Sequence, residues 1–517
     1  MTRLGAYRLE ALIFAFVFGL SAYFYNGYGW NQTARYDAIW AFVEPGPHRY
    51  TVAIDDFLVD PDEGLNTGDF ARNAEHGERY YANKAPGTTL LGIPAYLVLY
   101  HGERLMGVDP LSVQAVLVNA YLINLWVTVL PVALSAVFFF HMALTLAGSR
   151  PRALLLTLVL YAGTLMLPFS TSLWGHTTAA AFTVMALAMF VRPGRGAAAW
   201  SGLCIGLAVL TDYAAAPVAL TLVAAALAGS ARRERVTGLL LGGAGPLVVF
   251  ALYHWLLFGS PLRLASAYSP ASMLDEGRVQ GLFGAVSPAA LWGLTVSVSR
   301  GLFFYMPVLA LSLLGMRRMG DDAHRSFWWL AVASMALILV INASFNAWHG
   351  GVTAGPRYQI VALPFYVLLL ALLPSAAWAR RALYGLAALS FANMLVLAAV
   401  SPMSPNTLHG SPLLFAFAKL WRVVRVDLGV DPAPVGGPLS LGSLHTFPTF
   451  LMRDWPITPQ DPLIGRWAVF NLGERLLGLR GSWSLLPALL GAGGLGVWMR
   501  RVLVSEHPEG AGEPADV

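Results

Sequence analysis

Apolar runs that are each long enough to cross a membrane recur through nearly the whole of this chain. A transmembrane helix needs about 20 consecutive apolar residues, and 57% of the 517 residues are hydrophobic while only 12% are charged. This composition excludes a soluble globular protein. We predict an all-α polytopic membrane protein with about 12 transmembrane helices, near residues 9–27, 113–146, 153–171, 176–192, 197–212, 213–229, 236–257, 301–317, 326–344, 358–378, 381–400 and 483–500.

Arginine clusters between these runs predict the orientation of the chain. Cytoplasmic loops carry an excess of Lys and Arg, and all the clusters face one side if each run crosses once. That holds only if the apolar stretch from Thr88 to Tyr100 does not cross, so we expect a re-entrant or juxtamembrane helix after Pro86. Both termini are then cytoplasmic, and the protein is expected in the inner membrane. The clusters are Arg150/Arg152, Arg192/Arg195, Arg232/Arg233/Arg235, Arg317/Arg318, Arg380/Arg381 and Arg500/Arg501.

The polar segments divide the chain into a body, a cap and a tail. We expect a transmembrane catalytic body over 1–401 whose first outer loop, 28–112, carries short helices, and an outer-face cap over 402–482. A last transmembrane helix over 483–504 and a disordered acidic tail over 505–517 follow. The single cysteine, Cys204, lies in an apolar run and excludes a disulfide framework. The net charge of +5 comes from short loop clusters, which argues against a nucleic-acid partner.

Charged residues are nearly absent from the middle of the predicted helices and collect at their outer ends, as Asp212 does between two runs. Ion-coupled transporters keep polar groups near the middle of the membrane, although each costs about 2.5–3.5 kcal/mol to insert. The pattern here favours an enzyme whose reaction takes place just outside the hydrocarbon.

A series of short motifs, all on the predicted outer side, resembles the bacterial GT-C membrane glycosyltransferases. That large group includes the protein O-mannosyltransferases and the aminoarabinose transferases of lipid A. The resemblance implies the GT-C fold and transfer of a sugar from a polyprenyl-phosphate carrier to an acceptor hydroxyl, with inversion. The motifs are Gln32-Thr-Ala-Arg35-Tyr36, Ile54-Asp55, Thr67-Gly-Asp69, Gly77-Glu-Arg-Tyr-Tyr81, Lys84-Ala-Pro-Gly87, Leu173-Trp-Gly-His176, Phe258-Gly-Ser-Pro261, Arg300-Gly-Leu-Phe303, Trp348-His-Gly-Gly351 and Gly355-Pro-Arg357-Tyr358.

Such a transfer needs a carboxylate that takes the acceptor's proton. Many relatives place an acid three positions before the arginine of the first loop helix, but here that position is Gln32. The candidates that remain are Asp69, Asp55 and, less well placed on the helix of Arg35, Asp37. Asp69 follows Thr-Gly and resembles the group's Thr-x-Asp. It could equally be the N-cap of a helix that begins at Phe70.

The departing phosphate needs cations, and Arg357, Lys84 and Arg300 are the candidates. All three could instead be interfacial side chains beside lipid headgroups. The residues expected to orient the loop or bind the sugar are Arg35, Tyr81, His176, Trp348 and His349. His-x-x-x-His spacing is absent, so no metal ligands are assigned, although Mg²⁺ or Mn²⁺ stays open as a cofactor.

The expected partners are a polyprenyl-phosphate sugar donor, a glycan, lipid or protein acceptor, and membrane lipids. Two other functions stay open at this point. A flippase or transporter of lipid-linked sugars would need polar groups along a path through the bundle. A noncatalytic subunit of cell-envelope assembly would tolerate alanine at Asp55, Asp69 and Arg357.

Overall fold

A computed structural model describes residues 8–27, 29–57, 67–229, 231–322, 324–403, 410–432 and 469–505. The described chain is mostly helical. Its helices are α1 Arg8–Tyr23, α2 Trp30–Val43, α3 Gly87–Leu105, α4 Val113–Asn124, α5 Leu130–Ala147, α6 Arg150–Ala162, α7 Met166–Ser170, α8 Gly175–Phe190, α9 Arg195–Thr211, α10 Ala216–Ala228, α11 Arg232–Phe258, α12 Pro288–Thr295, α13 Leu302–Tyr305, α14 Ser312–Met316, α15 Arg325–Ser344, α16 Leu363–Leu369, α17 Ala377–Val400, α18 Pro412–Asp427, α19 Leu472–Leu477 and α20 Leu486–Ser505.

Among the described residues, five helical segments are long and apolar enough to cross a membrane by length and composition. They are Gln114–Ala147, Arg232–Phe258, Arg325–Ser344, Ala377–Val400 and Gly481–Ser505. The first of these joins α4 to α5 through a π-helical turn at Leu125–Val129. Shorter apolar helices accompany them, so the protein is a multi-pass membrane protein. The count of 12 crossings and the cytoplasmic location of both termini stay predictions.

Two short antiparallel ribbons correct the expectation of a purely helical chain. Strand β1, Phe24–Asn26, pairs with β4, Val469–Asn471, and β2, Phe70–Arg72, pairs with β3, Tyr80–Ala82. The helix expected to begin at Phe70 is therefore wrong. Aromatic residues favour strands, and the intervening turn contains Gly77 at φ +103°, a conformation that favours glycine.

Helices α9 and α11 pack through glycines. A Cβ at Gly242 would collide with the backbone of Ala199, and one at Gly206 would lie 2.9 Å from Pro246. Such small-residue contacts are common between membrane helices because they let backbones approach closely. Leucine, valine and tryptophan side chains of α11 are exposed, as expected of a helix that faces lipid.

The first outer loop is fixed to the ends of three helices. A Cβ at Gly87, where α3 begins, would lie 2.7 Å from the backbone of Thr211, the last residue of α9. One at Gly175, where α8 begins, would lie 2.7 Å from the Thr211 carbonyl oxygen. These close approaches bring three helix ends together beneath α2. The predicted candidate residues collect at this junction.

The predicted cap over 402–482 is described only in part. Its described portion contains α18 and the β4–α19 segment, which Asp427 joins by accepting a 2.7 Å hydrogen bond from the Ser482 backbone N–H. The remainder of the cap, and the predicted tail beyond Ser505, lie outside the described residues. The expected helix after Pro86 is present as α3; whether it re-enters the membrane stays a prediction.

Candidate functional site

A cavity of about 160 Å³ lies at the junction of the helix ends. Helix α15 contributes the apolar side chains of Ile338 and Ile341, and Phe345 follows its last residue. The loop and the ends of α2, α8 and α9 contribute polar side chains. These are Asn31, Arg35, Asn83, Lys84, His176, Asp212, Tyr213 and, from the segment before α16, Tyr358. The cavity thus joins a charged region to an apolar wall.

Asp69 and Lys84 form an ion pair beside this cavity, with 3.0 Å between Lys84 Nζ and Asp69 Oδ1. Thr67 fixes the turn, because its hydroxyl accepts from the Asp69 backbone N–H at 3.0 Å and donates to the Trp30 carbonyl at 2.8 Å. Burial raises the pKa of Asp69, but Lys84, Arg357 and Arg35 outweigh it and hold the pKa below its ordinary value. Asp69 is therefore ionised near neutral pH, and it precedes a strand rather than capping a helix.

Arg35 is buried on α2 and reaches the start of α3. Its Nε donates to the Thr88 hydroxyl at 2.7 Å, and its Nη1 donates to the Asn31 carbonyl at 2.9 Å and to the Asn31 side chain. The pKa of Arg35 is lowered to about 10, chiefly by burial and in part by Arg357, while Asp212 and Asp69 act in the opposite direction. The guanidinium is still cationic near neutral pH.

Asp212 and His176 form a second pair in the same cavity. Asp212 follows the last residue of α9; its Oδ1 accepts from the Ala214 backbone N–H at 2.9 Å and its Oδ2 contacts His176 Nδ1. His176 is among the residues predicted from the sequence motifs, whereas Asp212 is not among the predicted site residues. The sequence does carry a signal for Asp212. A carboxylate between two apolar runs is costly to bury unless a partner pairs with it.

Arg357 lies beside this pair, where Gly350 gives it room. Its guanidinium carbon is 4.9 Å from the Trp174 ring and 5.0 Å from the Tyr358 ring. Its Nη2 donates to the Tyr358 hydroxyl at 3.1 Å, and its buried Nε has no hydrogen-bond partner in the described chain. A Cβ at Gly350 would lie 3.0 Å from that Nε, and Gly350 has φ +73°.

Arg300 fixes the loop that carries Arg357. Its guanidinium donates to the Gly351 carbonyl at 2.6 Å and to the Thr353 carbonyl. Because both Nη atoms donate to these carbonyls, Arg300 positions the loop; its buried Nε has no partner in the described chain, and the residue does not line the cavity.

Several further predicted residues do not line the cavity, just as Asp69, Arg357 and Arg300 do not. Asp55 accepts from the Tyr80 backbone N–H at 3.1 Å, and the Tyr81 ring packs 5.5 Å from that of Phe258. Trp348 packs against Gly293 of α12, and His349 accepts from the Gly351 backbone N–H at 3.0 Å. Asp37 is buried within α2 and does not line the cavity either. Their predicted roles in proton transfer or sugar binding stay predictions.

The charged residues do not fit a divalent metal. Mg²⁺ and Mn²⁺ prefer several carboxylate oxygens, and the described residues contain no group of three His, Cys, Asp or Glu side chains able to hold one. Asp69 and Asp212 are the carboxylates near the cavity, and each already contacts Lys84 or His176.

Comparison with known proteins gives solved structures but no family model and no curated protein that matches. ArnT from Cupriavidus metallidurans, solved with undecaprenyl phosphate bound, is 14% identical, with a TM-score of 0.44 over 83% of this chain and 72% of its own. The apo oligosaccharyltransferase of Archaeoglobus fulgidus is 14% identical, with a TM-score of 0.46 over 87% of this chain and 62% of its own. Both are GT-C glycosyltransferases, the group named from the sequence. Likeness at this level assigns no activity, so the function depends on the site.

Proposed function

We propose that the protein is a membrane glycosyltransferase. It moves a sugar from a polyprenyl-phosphate donor to an acceptor hydroxyl on a glycan, lipid or protein, with inversion, at the periplasmic or extracellular face of the inner membrane. One observation carries the proposal: a single cavity joins buried cations to an apolar wall. A polyprenyl-phosphate ligand has two parts that are complementary to these, an anionic head and a long apolar tail.

The charge balance of the site supports an anionic ligand. Arg35, Lys84 and Arg357 supply three cations, and Asp69 and Asp212 supply two carboxylates. Burying an unpaired cation costs several kcal/mol, so the surplus positive charge fits a site that a phosphate completes. Arg357 has a buried donor without a partner in the described chain, and guanidinium groups bind phosphate through paired donors.

The apolar wall supports a lipid tail. Ile338 and Ile341 lie one helical turn apart on α15, and Ile341 is 37% exposed. Leu337 and Val340 of the same helix are also exposed, so the wall is continuous with the outer surface of a helix long enough to span a membrane. A tail bound there has an apolar surface along which it can extend into the bilayer.

The proposed mechanism assigns one task to each charged group. Asp69, ionised and close to Lys84, takes the proton of the acceptor hydroxyl as that hydroxyl attacks the anomeric carbon. Arg357 and Lys84 bind the phosphate and stabilise the charge that develops on it. Arg35 orients the loop by bonding to the first turn of α3, and Arg300 positions the Arg357 loop.

Native mass spectrometry of the detergent-purified protein tests this function. We expect a retained polyprenyl phosphate or its glycosylated form, which Arg357→Ala loses. Arg278→Ala is the matched control, because Arg278 pairs with Asp275 at 2.7 Å and does not line the cavity. Retention of bulk phospholipid alone, unchanged in Arg357→Ala, contradicts the proposal.

A further inference from the structure

The His176–Asp212 pair has no task in the mechanism above, although both side chains line the cavity. Both are largely buried, with 7% and 12% of their side chains exposed. His176 Nε2 is buried and has no hydrogen-bond partner in the described chain. A buried polar nitrogen without a partner is costly, so this atom points to a ligand that completes it.

The contacts of Asp212 fix which ring nitrogen is available. Asp212 accepts from the Ala214 backbone N–H and contacts His176 Nδ1, so its carboxylate acts as an acceptor on both sides. Nδ1 must then carry a hydrogen, and Nε2 is the nitrogen that can gain or lose a proton. When the His176 ring is protonated, the same carboxylate supplies the negative charge that stabilises the buried imidazolium.

The surroundings of His176 place it on the phosphate side of the site. His176 shares both of its aromatic neighbours with Arg357: its ring stacks 5.9 Å from that of Trp174 and meets the Tyr358 ring edge-on at 5.3 Å. The charged or titratable groups that face it are Asp212 after α9, Arg35 from α2, and Arg357 and Tyr358 before α16. A phosphate held by Arg357 therefore comes close to His176.

We propose that His176, held by Asp212, is the catalytic acid that protonates the departing phosphate; this inference rests on the proposed function. The bond between the anomeric carbon and the phosphate oxygen breaks, and its electron pair stays on that oxygen. The Nε2 proton moves to the same oxygen, while the acceptor oxygen bonds to the anomeric carbon and gives its proton to Asp69. Polyprenyl phosphate leaves as a protonated monoester and the imidazole is left neutral. Proton exchange with solvent then restores Asp69 and His176.

The proton affinities of the two partners suit this transfer. The second ionisation of a phosphate monoester has a pKa near 6, and imidazole has an ordinary pKa of about 6.5. Proton transfer is most efficient when the donor and acceptor are close to the working pH. In the free protein, burial and the nearby Arg357 and Arg35 disfavour the charged form of the His176 ring. The negative charge of the phosphate product favours it, so binding of the product should draw a proton onto His176, which shares it with the phosphate oxygen.

Proton uptake on binding is measurable in the full chain. We would titrate the detergent-purified protein with undecaprenyl phosphate at pH 7.5, by calorimetry in buffers of different ionisation enthalpy. Wild type should take up a large fraction of one proton per lipid bound. The cations beside the phosphate favour its dianion. If the lipid phosphate were the group that changed its protonation on binding, protons would therefore be released and not taken up.

Three variants give this measurement its controls. His176→Gln, which can donate a hydrogen bond but does not titrate at this pH, should lose the uptake while the lipid still binds. Asp212→Asn keeps the imidazole without its counter-charge and should also lose it. His141→Gln, from a histidine 3.5 Å from Glu10 and away from the cavity, should behave as wild type.

The outcomes separate the inference from the proposed function. Wild type that binds no undecaprenyl phosphate overturns the function. Wild type that binds without proton uptake, or His176→Gln that keeps the uptake, overturns the acid role alone. If His176→Gln does not fold, wild type and Asp212→Asn still test the inference. Proton uptake that is retained in Asp212→Asn contradicts the role of Asp212 in holding a proton on His176.

Discussion

Asp69 and Lys84 form an ion pair that is largely but not fully buried, with 17% and 22% of their side chains exposed. Asp69→Asn should lower the stability of the protein by about 1.5–3 kcal/mol at pH 7, the usual range for a hydrogen bond to a charged group. Because the pKa of Asp69 is lowered in the folded protein, its contribution is complete above the unfolded pKa of about 3.9. It is lost as the pH falls through the lower, folded pKa.

Thermal unfolding of detergent-solubilised protein, followed by tryptophan fluorescence at pH 7 and near pH 3, checks this expectation. Asp275→Asn is the matched control, since Asp275 also contacts a cation, Arg278, but is 49% exposed. An exposed pair should contribute only about 0–1 kcal/mol. Equal effects of the two substitutions at pH 7 would contradict the account of Asp69.

The sequence named residues that the structure brings close together, but not how they pair. Arg35, Lys84 and His176 line the cavity, and Asp69 and Arg357 lie beside it. They were named from the motif resemblance and from the carboxylate and cations that the transfer needs. Asp212 was not selected because its partner is 36 residues away on another helix. Such a contact depends on how α8 packs on α9, which one sequence does not reveal.

The turn that carries Arg357 offers a comparison between two neighbouring glycines. Gly350 and Gly351 have φ of +73° and +69°, so alanine strains both backbones alike, by about 1–2 kcal/mol. Only at Gly350 would a Cβ meet Arg357; at Gly351 there is open space within 4 Å. We therefore expect Gly350→Ala to displace Arg357 and Gly351→Ala to leave it in place.

Retention of polyprenyl phosphate in native mass spectra, measured beside the melting temperature, distinguishes the two variants. Both should melt somewhat lower than wild type, and Gly350→Ala should in addition lose most of the bound lipid. Equal lipid retention at matched stability would show that the Gly350 contact does not hold Arg357 in its binding position.

Apolar runs predicted helices reliably, because helical backbone satisfies its own hydrogen bonds wherever water is absent. Each predicted run overlaps helical segments in the structure, although 153–171 is divided between α6 and α7. The first outer loop was harder to predict. In its β2–β3 ribbon Tyr80 packs against Phe70 on the paired strand, and Tyr81 packs against Phe258, which is far away in the sequence.

The ends of three helices meet at the site. Helices α3 and α8 begin there and α9 ends there, so His176 lies in the first turn of α8 while Arg192 follows its last turn. The positive ends of the α3 and α8 dipoles lie near the cavity, which favours an anion there. The arginine clusters that predict a cytoplasmic side, such as Arg192 and Arg195, lie at the other end of α8.

This arrangement predicts which loops an impermeant thiol reagent reaches in intact cells. In a Cys204→Ser background, which has no other cysteine, Glu276→Cys should react from outside because its segment lies near the site end of α15. Pro193→Cys, in the loop between α8 and α9, should react only after the membrane is permeabilised. Both positions are exposed, so a lack of reaction reports on the membrane and not on burial. Labelling of Pro193→Cys in intact cells would reverse the predicted orientation and place the cavity on the cytoplasmic side. A donor made in the cytoplasm would then be used there without crossing the membrane.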